Sequence, residues 1–335
     1  IPRGEGLYAF VHLTFQEYLA ARRLAHMGDG WRIISARLDD RQWRETIDLY
    51  PACLIERGVE QVDSLMKRAL SLRKDSSDLA ATAEIVGLAG RLLATLRPFA
   101  YRLPEPQATT YEVLRERALG IFTPKGAAQV SEEKRIAAAE ALGRAGDPRL
   151  RPESFRERLL PLPGTRVRLA KYPVTVEEFE RFVLDGGYEK RELWDEEGWT
   201  CREQHTWIAP DKWDNQLETP NRPVVGVSWF EAAAYCRWLS TPELTVRLPT
   251  RAEWRVAAVP DRRTYPWGDS PDPDAQRANF GERVGWPTPV GLYPAGDGKF
   301  GHSDLVGNVW EWSADVDSKA HWNRASRTKH PTEQE

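Results

Sequence analysis

The sequence predicts a multidomain protein, with an all-α first half followed by an α+β second half. Three observations carry this. The first half is rich in Leu, Ala, Arg and Glu, with apolar residues at helical intervals. Of the fourteen tryptophans, twelve lie between Trp194 and Trp322, so composition changes sharply near the middle. The second half also gathers Gly and Pro, which favours loops with short strands. A chain of 335 residues is long enough for two or more domains, each burying its own core.

Taken in order, Leu13, Glu17, Ala20 and Leu24 recur at helical spacing, which predicts an amphipathic helix over residues 8–26, ended by Gly28 and Gly30. A second helix is predicted over 41–58, interrupted or bent at Pro51. Stripes of Leu, Val and Ile predict two more, over 60–73 and 78–96. Residues 131–150 read as a further helix, with Ser131 as N-cap and Glu132 and Glu133 in the first turn. Its face of Ile136, Ala139, Leu142 and Gly143 suits close packing, and Gly146, Asp147 and Pro148 end it.

From Val167 the pattern changes to a short strand, a turn at Pro173 and a helix with Phe179, Phe182 and Val183 inward. Thr175 and Glu178 have the spacing of a capping box, as do Ser228 and Glu231. Thr250 is placed to start a short helix carrying Trp254. Trp310 and Trp312 alternate with Glu311, which is strand periodicity. Core packing is the favoured role for most tryptophans. Trp194, Trp199, Trp207 and Trp213 lie in a polar insertion and are candidates to line a ligand pocket.

A net charge of −3 gives no global attraction to nucleic acid or to an acidic membrane. The odd, sparse set Cys53, Cys201 and Cys236 is no disulfide framework and points to a reducing, cytoplasmic setting. No apolar run approaches the ~18 residues of a membrane helix, and no signal segment opens the chain. It begins at Ile1 rather than Met, which suggests a fragment. There is no P-loop; the stretch GDGKF at 296–300 has the wrong spacing.

Two resemblances follow from particular motifs. FVHLTFQEYLAARRL followed by WRETIDL resembles the helical tail of NACHT-type signalling NTPases, which implies an NTPase domain upstream. Residues 131–150 resemble a single HEAT-type helix. The run YPVTVEEFERFV, LWDEEGW, NRPVVGVSWFEAAAYCRWL, RLPTRAEWRVAA, YPWGD, RANF, TPVGLYPAG and DLVGNVWEW is similar to the formylglycine-generating-enzyme/sulfatase-modifying-factor family, in that family's order. This resemblance implies a C-type-lectin-like fold, incomplete here at its C-terminus. The expected division is a helical region at 1–125, a connector helix at 126–155, the family module at 156–317 and a disordered polar tail at 318–335.

The same resemblance implies a calcium site from the side chains of Asp304 and Glu311 with the carbonyls of Gly307 and Val309. A second would include Asn279 and Phe280. Formylglycine-generating enzymes use copper held by two late cysteines after a GGSW-like segment. No cysteine follows Cys236 and the segment is missing, so no copper site is identifiable. Related iron-dependent sulfoxide synthases pair the module with a His-rich helical domain. Here the helical half has only His12 and His26, without an HxxxH pair, and His302, His321 and His330 are scattered. The expectation is therefore a non-catalytic sensor module of a NACHT-type defence protein, related to retroelement-diversified lectin-like proteins, that binds an unidentified ligand or protein. The alternative is a formylglycine-generating-type oxidase or a related non-haem iron enzyme that has lost its C-terminal catalytic segment.

Overall fold

The computed structural model describes residues 13–72, 78–315 and 327. They fall into two compact units, Ile1–Leu119 and Gly120–Glu335. The first unit is helical, with α1 Leu13–Ala25, α2 Gly30–Ser35, α3 Arg44–Ile55, α4 Val59–Leu70, α5 Leu79–Leu96 and α6 Gln107–Ala118. Helix α3 runs unbroken through Pro51, against the expected interruption. Proline removes one backbone donor, but burial of Ile47, Tyr50, Cys53 and Leu54 on both sides of it holds the helix. Helix α5 is the centre of this unit and packs against α3, α4 and α6. Contrary to expectation, the stretch Leu79–Phe99 is long and apolar enough to cross a membrane, yet most of its apolar window is buried inside the unit. His12 lies outside the described residues.

The second unit opens with α7 Pro124–Gln129 and α8 Glu132–Arg144. Ser131 takes the N-cap position of α8, but its side chain makes no cap bond. Helix α8 is tied into this unit. Arg135, fully buried, donates to the carbonyls of Leu292 (2.5 Å) and Ala275 (2.9 Å). The small face expected around Gly143 admits Asn221, whose amide donates to the Ala139 carbonyl at 2.7 Å. A Cβ at position 143 would stand 2.3 Å from the Asn221 side-chain oxygen.

Next come β1 Leu159–Pro161 and β2 Arg168–Ala170, an antiparallel pair that registers Leu160 with Leu169. Helices α9 Val176–Leu184, α10 Glu196–Gln204, α11 Trp213–Gln216, α12 Trp229–Leu239 and α13 Arg251–Ala258 follow. The capping boxes anticipated at Thr175 and Ser228 both form, and Thr250 makes a third with Glu253. The strand expected at Trp310–Trp312 does not form. Instead the Trp312 indole donates to the Val227 carbonyl and Trp229 donates to the Ser313 carbonyl, so this segment is pinned by side chains rather than by a ladder. Little sheet is present among the described residues. The tail over 318–335 lies outside them, apart from Arg327.

Candidate functional site

Trp194, Trp199, Trp207 and Trp213 are brought together, but as core. Trp194 and Trp207 are buried with Phe179, Phe182, Tyr188, Phe230 and Tyr235, and Trp199 and Trp213 pack against that cluster. Edge-on contacts such as Phe179–Phe182 (5.2 Å) and Trp194–Trp199 (6.5 Å) order the rings. None of the four lines the cleft between the hairpin and the last described segment of the unit. The stretch folds back and packs these rings against α9 and α12, with Trp194 and Trp207 buried and Trp199 and Trp213 partly so.

That cleft has a volume of about 470 Å³. One wall is the β1–β2 hairpin, with Leu159 and Leu169; another is formed by α9 and α12, through Phe179, Tyr235 and Cys236. Val246 and Arg247 form a third wall, and Leu305, Trp310, Glu311 and Trp312 close it. The polar groups at its rim are mostly paired. Arg158 meets Glu178 at 2.5 Å, and Arg247 meets Glu253 at 2.6 Å. Hydrogen bonds from Arg247 draw Glu253 down to about 2. Trp310 is 81% exposed at the edge.

Three carboxylates beside this cleft are held near neutrality. Burial pushes Asp304 up to about 7, with a further rise from the negative charge of Asp297. Burial likewise raises Asp297 to about 6. Glu311 is also pushed up to about 7, first by desolvation and then by Asp304. Its surface is reached by solvent, yet it lies in the concave wall of the cleft with protein on most sides. A carboxyl group with such a pKa, open to a cleft, can accept and release a proton at neutral pH. The sequence places Glu311 only as an expected metal ligand between two tryptophans.

The groups expected to hold calcium are spread over two stitched loops. The Asp304 carboxylate accepts from the Gly291 amide at 2.6 Å. The Gly307 carbonyl accepts from Val309 at 2.8 Å, and the Asn279 carbonyl accepts from Asn308 at 2.7 Å. The Asn279 side chain donates to Trp286, while Phe280 is partly exposed. Gly307, at φ +74°, lets the loops close, because a Cβ there would lie 2.1 Å from the Asn279 carbonyl. Among the described residues no three His, Cys, Asp or Glu side chains gather into a metal-binding group.

Cys236 lines the cleft, but burial pushes its thiol up to about 12. Burial also raises Cys201 and Cys53.

This helix-and-loop unit, with its short hairpin and aromatic core, matches the sulfatase-modifying factor enzyme 1-like domain over residues 133–330, more than half of the chain. The chain belongs to that family. The match begins inside α8 and runs past residue 317, so it covers most of the segment expected as connector and of that expected as tail. The chain is similar to hercynine oxygenase of Mycolicibacterium thermoresistibile, 39% identical over 162 residues, covering 44% of this chain and 35% of that protein. The Mycolicibacterium smegmatis enzyme of the same name is 38% identical over 162 residues, covering 44% and 36%. The formylglycine-generating enzyme of Mycobacterium tuberculosis is 36% identical over 137 residues, covering 37% and 42%. The chain thus spans about a third of the length of the hercynine oxygenases it matches. These relatives are named as enzymes, which favours the oxidase alternative over the non-catalytic sensor expected from the sequence.

Proposed function

We propose that this chain carries the substrate-holding module of an oxidative enzyme of the hercynine-oxygenase kind, with its cleft as the binding site and Glu311 as the group that handles protons there. The observation that carries the reading is the cleft itself. It is mainly apolar, with Tyr235, Trp310 and Trp312 in its wall, and its one carboxyl group raised to about 7, Glu311, is open to solvent. Hercynine is a trimethylated betaine of histidine. Its cationic head suits a site that combines aromatic faces, here Tyr235, Trp310 and Trp312, with a carboxylate. Its own carboxylate has Lys171 and Arg247 within the same walls. The identity to two hercynine oxygenases supports this choice over other oxidations.

Calorimetric titration with hercynine tests the reading. Saturable binding is expected, weakened at least tenfold in Glu311→Gln and weakened in the wild type as acid protonates Glu311. A second reading, supported by the formylglycine-generating relative, has the cleft take a cysteine-containing peptide. Binding of such a peptide with none of hercynine would select it. Failure of both ligands would remove the enzyme reading and restore the binding-module one.

A further inference from the structure

We propose that Glu231, the Ala209 carbonyl and the Trp207 ring form a guanidinium-binding socket, which the chain fills in cis with Arg327. The Arg327 fork donates from Nε to one Glu231 oxygen at 2.9 Å and from Nη2 to the other at 2.5 Å. Nη2 also donates to the Ala209 carbonyl at 2.8 Å. The guanidinium lies 4.4 Å from the centre of the Trp207 ring. Carboxylate, carbonyl and ring face thus satisfy the planar cation in three ways at once.

The socket is built without Arg327. Glu231 is fully buried and fixed at the start of α12, where it accepts from the Ser228 amide at 2.7 Å and from the Tyr188 hydroxyl at 2.5 Å. Trp207 is nearly buried and stacks on His205 with ring centres 5.3 Å apart. A buried carboxylate without a countercharge is strongly unfavourable, so this site calls for a cation. Two oxygens presented side by side below an aromatic face match a planar fork better than a single ammonium. The ligand class is therefore the guanidinium cation, as on an arginine side chain. Arg327 is 96 positions from Glu231, so the contact joins residues far apart in sequence.

The test is chemical rescue of the full chain, read by thermal melting. Arg327→Ala should lower Tm by about 10 °C, as expected for a broken buried ion pair. Millimolar methylguanidinium should restore at least half of that loss. It should have no such effect on the wild type or on the double variant Glu231→Gln/Arg327→Ala, and methylammonium should not replace it. An Arg327→Ala Tm equal to wild type, no rescue, or equal effects on all three proteins would each overturn the proposal. If Arg327→Ala does not fold, Arg327→Lys keeps the charge without the fork. It should melt below wild type and be raised by methylguanidinium; a wild-type Tm or no response would again overturn the assignment.

Discussion

Asp304, Asp297 and Glu311 hold protons more tightly in the folded chain than carboxylates do in water, and this sets the sign of the pH dependence. A group whose folded pKa is raised binds more protons in the native state, so stability falls as pH rises toward that pKa. With values of about 7, 6 and 7, the loss continues up to neutral pH. His302 acts in the opposite sense. Burial lowers its pKa from 6.5, so it destabilises the fold only on acidification below that value. Between about pH 8 and pH 6.5 the carboxylates therefore dominate, and Tm should rise as pH falls. Asp304→Asn, which keeps an acceptor for the Gly291 amide, should flatten this slope in calorimetry run with EDTA. An unchanged slope would assign the effect elsewhere. The turn that carries Asp304 and Glu311 was legible in the sequence as two carboxylates around glycine. The burial of Asp304 was not, because it arises from contacts with segments as far away as Gly291.

Helix starts were the most readable elements, since a capping box is a local pattern of spacing three. Thr175 is fully buried at the start of α9, and Thr175→Ala should destabilise by about 1 kcal/mol in denaturant unfolding. A loss below a few tenths would mean that Glu178 and solvent replace the cap. Loop closure was less readable. Gly307→Ala meets both a positive φ and the Asn279 carbonyl, and should destabilise by about 2–3 kcal/mol in the same assay. The Trp310–Trp312 alternation looked like a strand because period two is a property of sequence. Becoming a strand requires a partner ladder, and here indole hydrogen bonds supply the anchoring instead. For the same reason the tryptophans of the 194–213 insertion could be recognised as a cluster but not assigned as core.

The tryptophan-rich composition begins near Trp194, well past the boundary between the units at Leu119 and Gly120, and the place of α8 was not visible in the sequence either. Nothing within α8 shows that Arg135 reaches the carbonyl of Leu292. A fragment spanning 120–335 should therefore unfold in one cooperative transition, whereas one beginning at 146, without α8, should not. Circular dichroism melts of the two fragments check this, and equal cooperativity would show α8 to be dispensable. The Arg135–Leu292 bond joins residues 157 apart in sequence. Contacts of that range form late, after the loop between them has closed. During synthesis, α8 leaves the ribosome long before its carbonyl partners exist, and Arg135 must wait in water. The helical first unit, rich in local contacts, can by then be complete, so the two units should mature at different times on the same nascent chain.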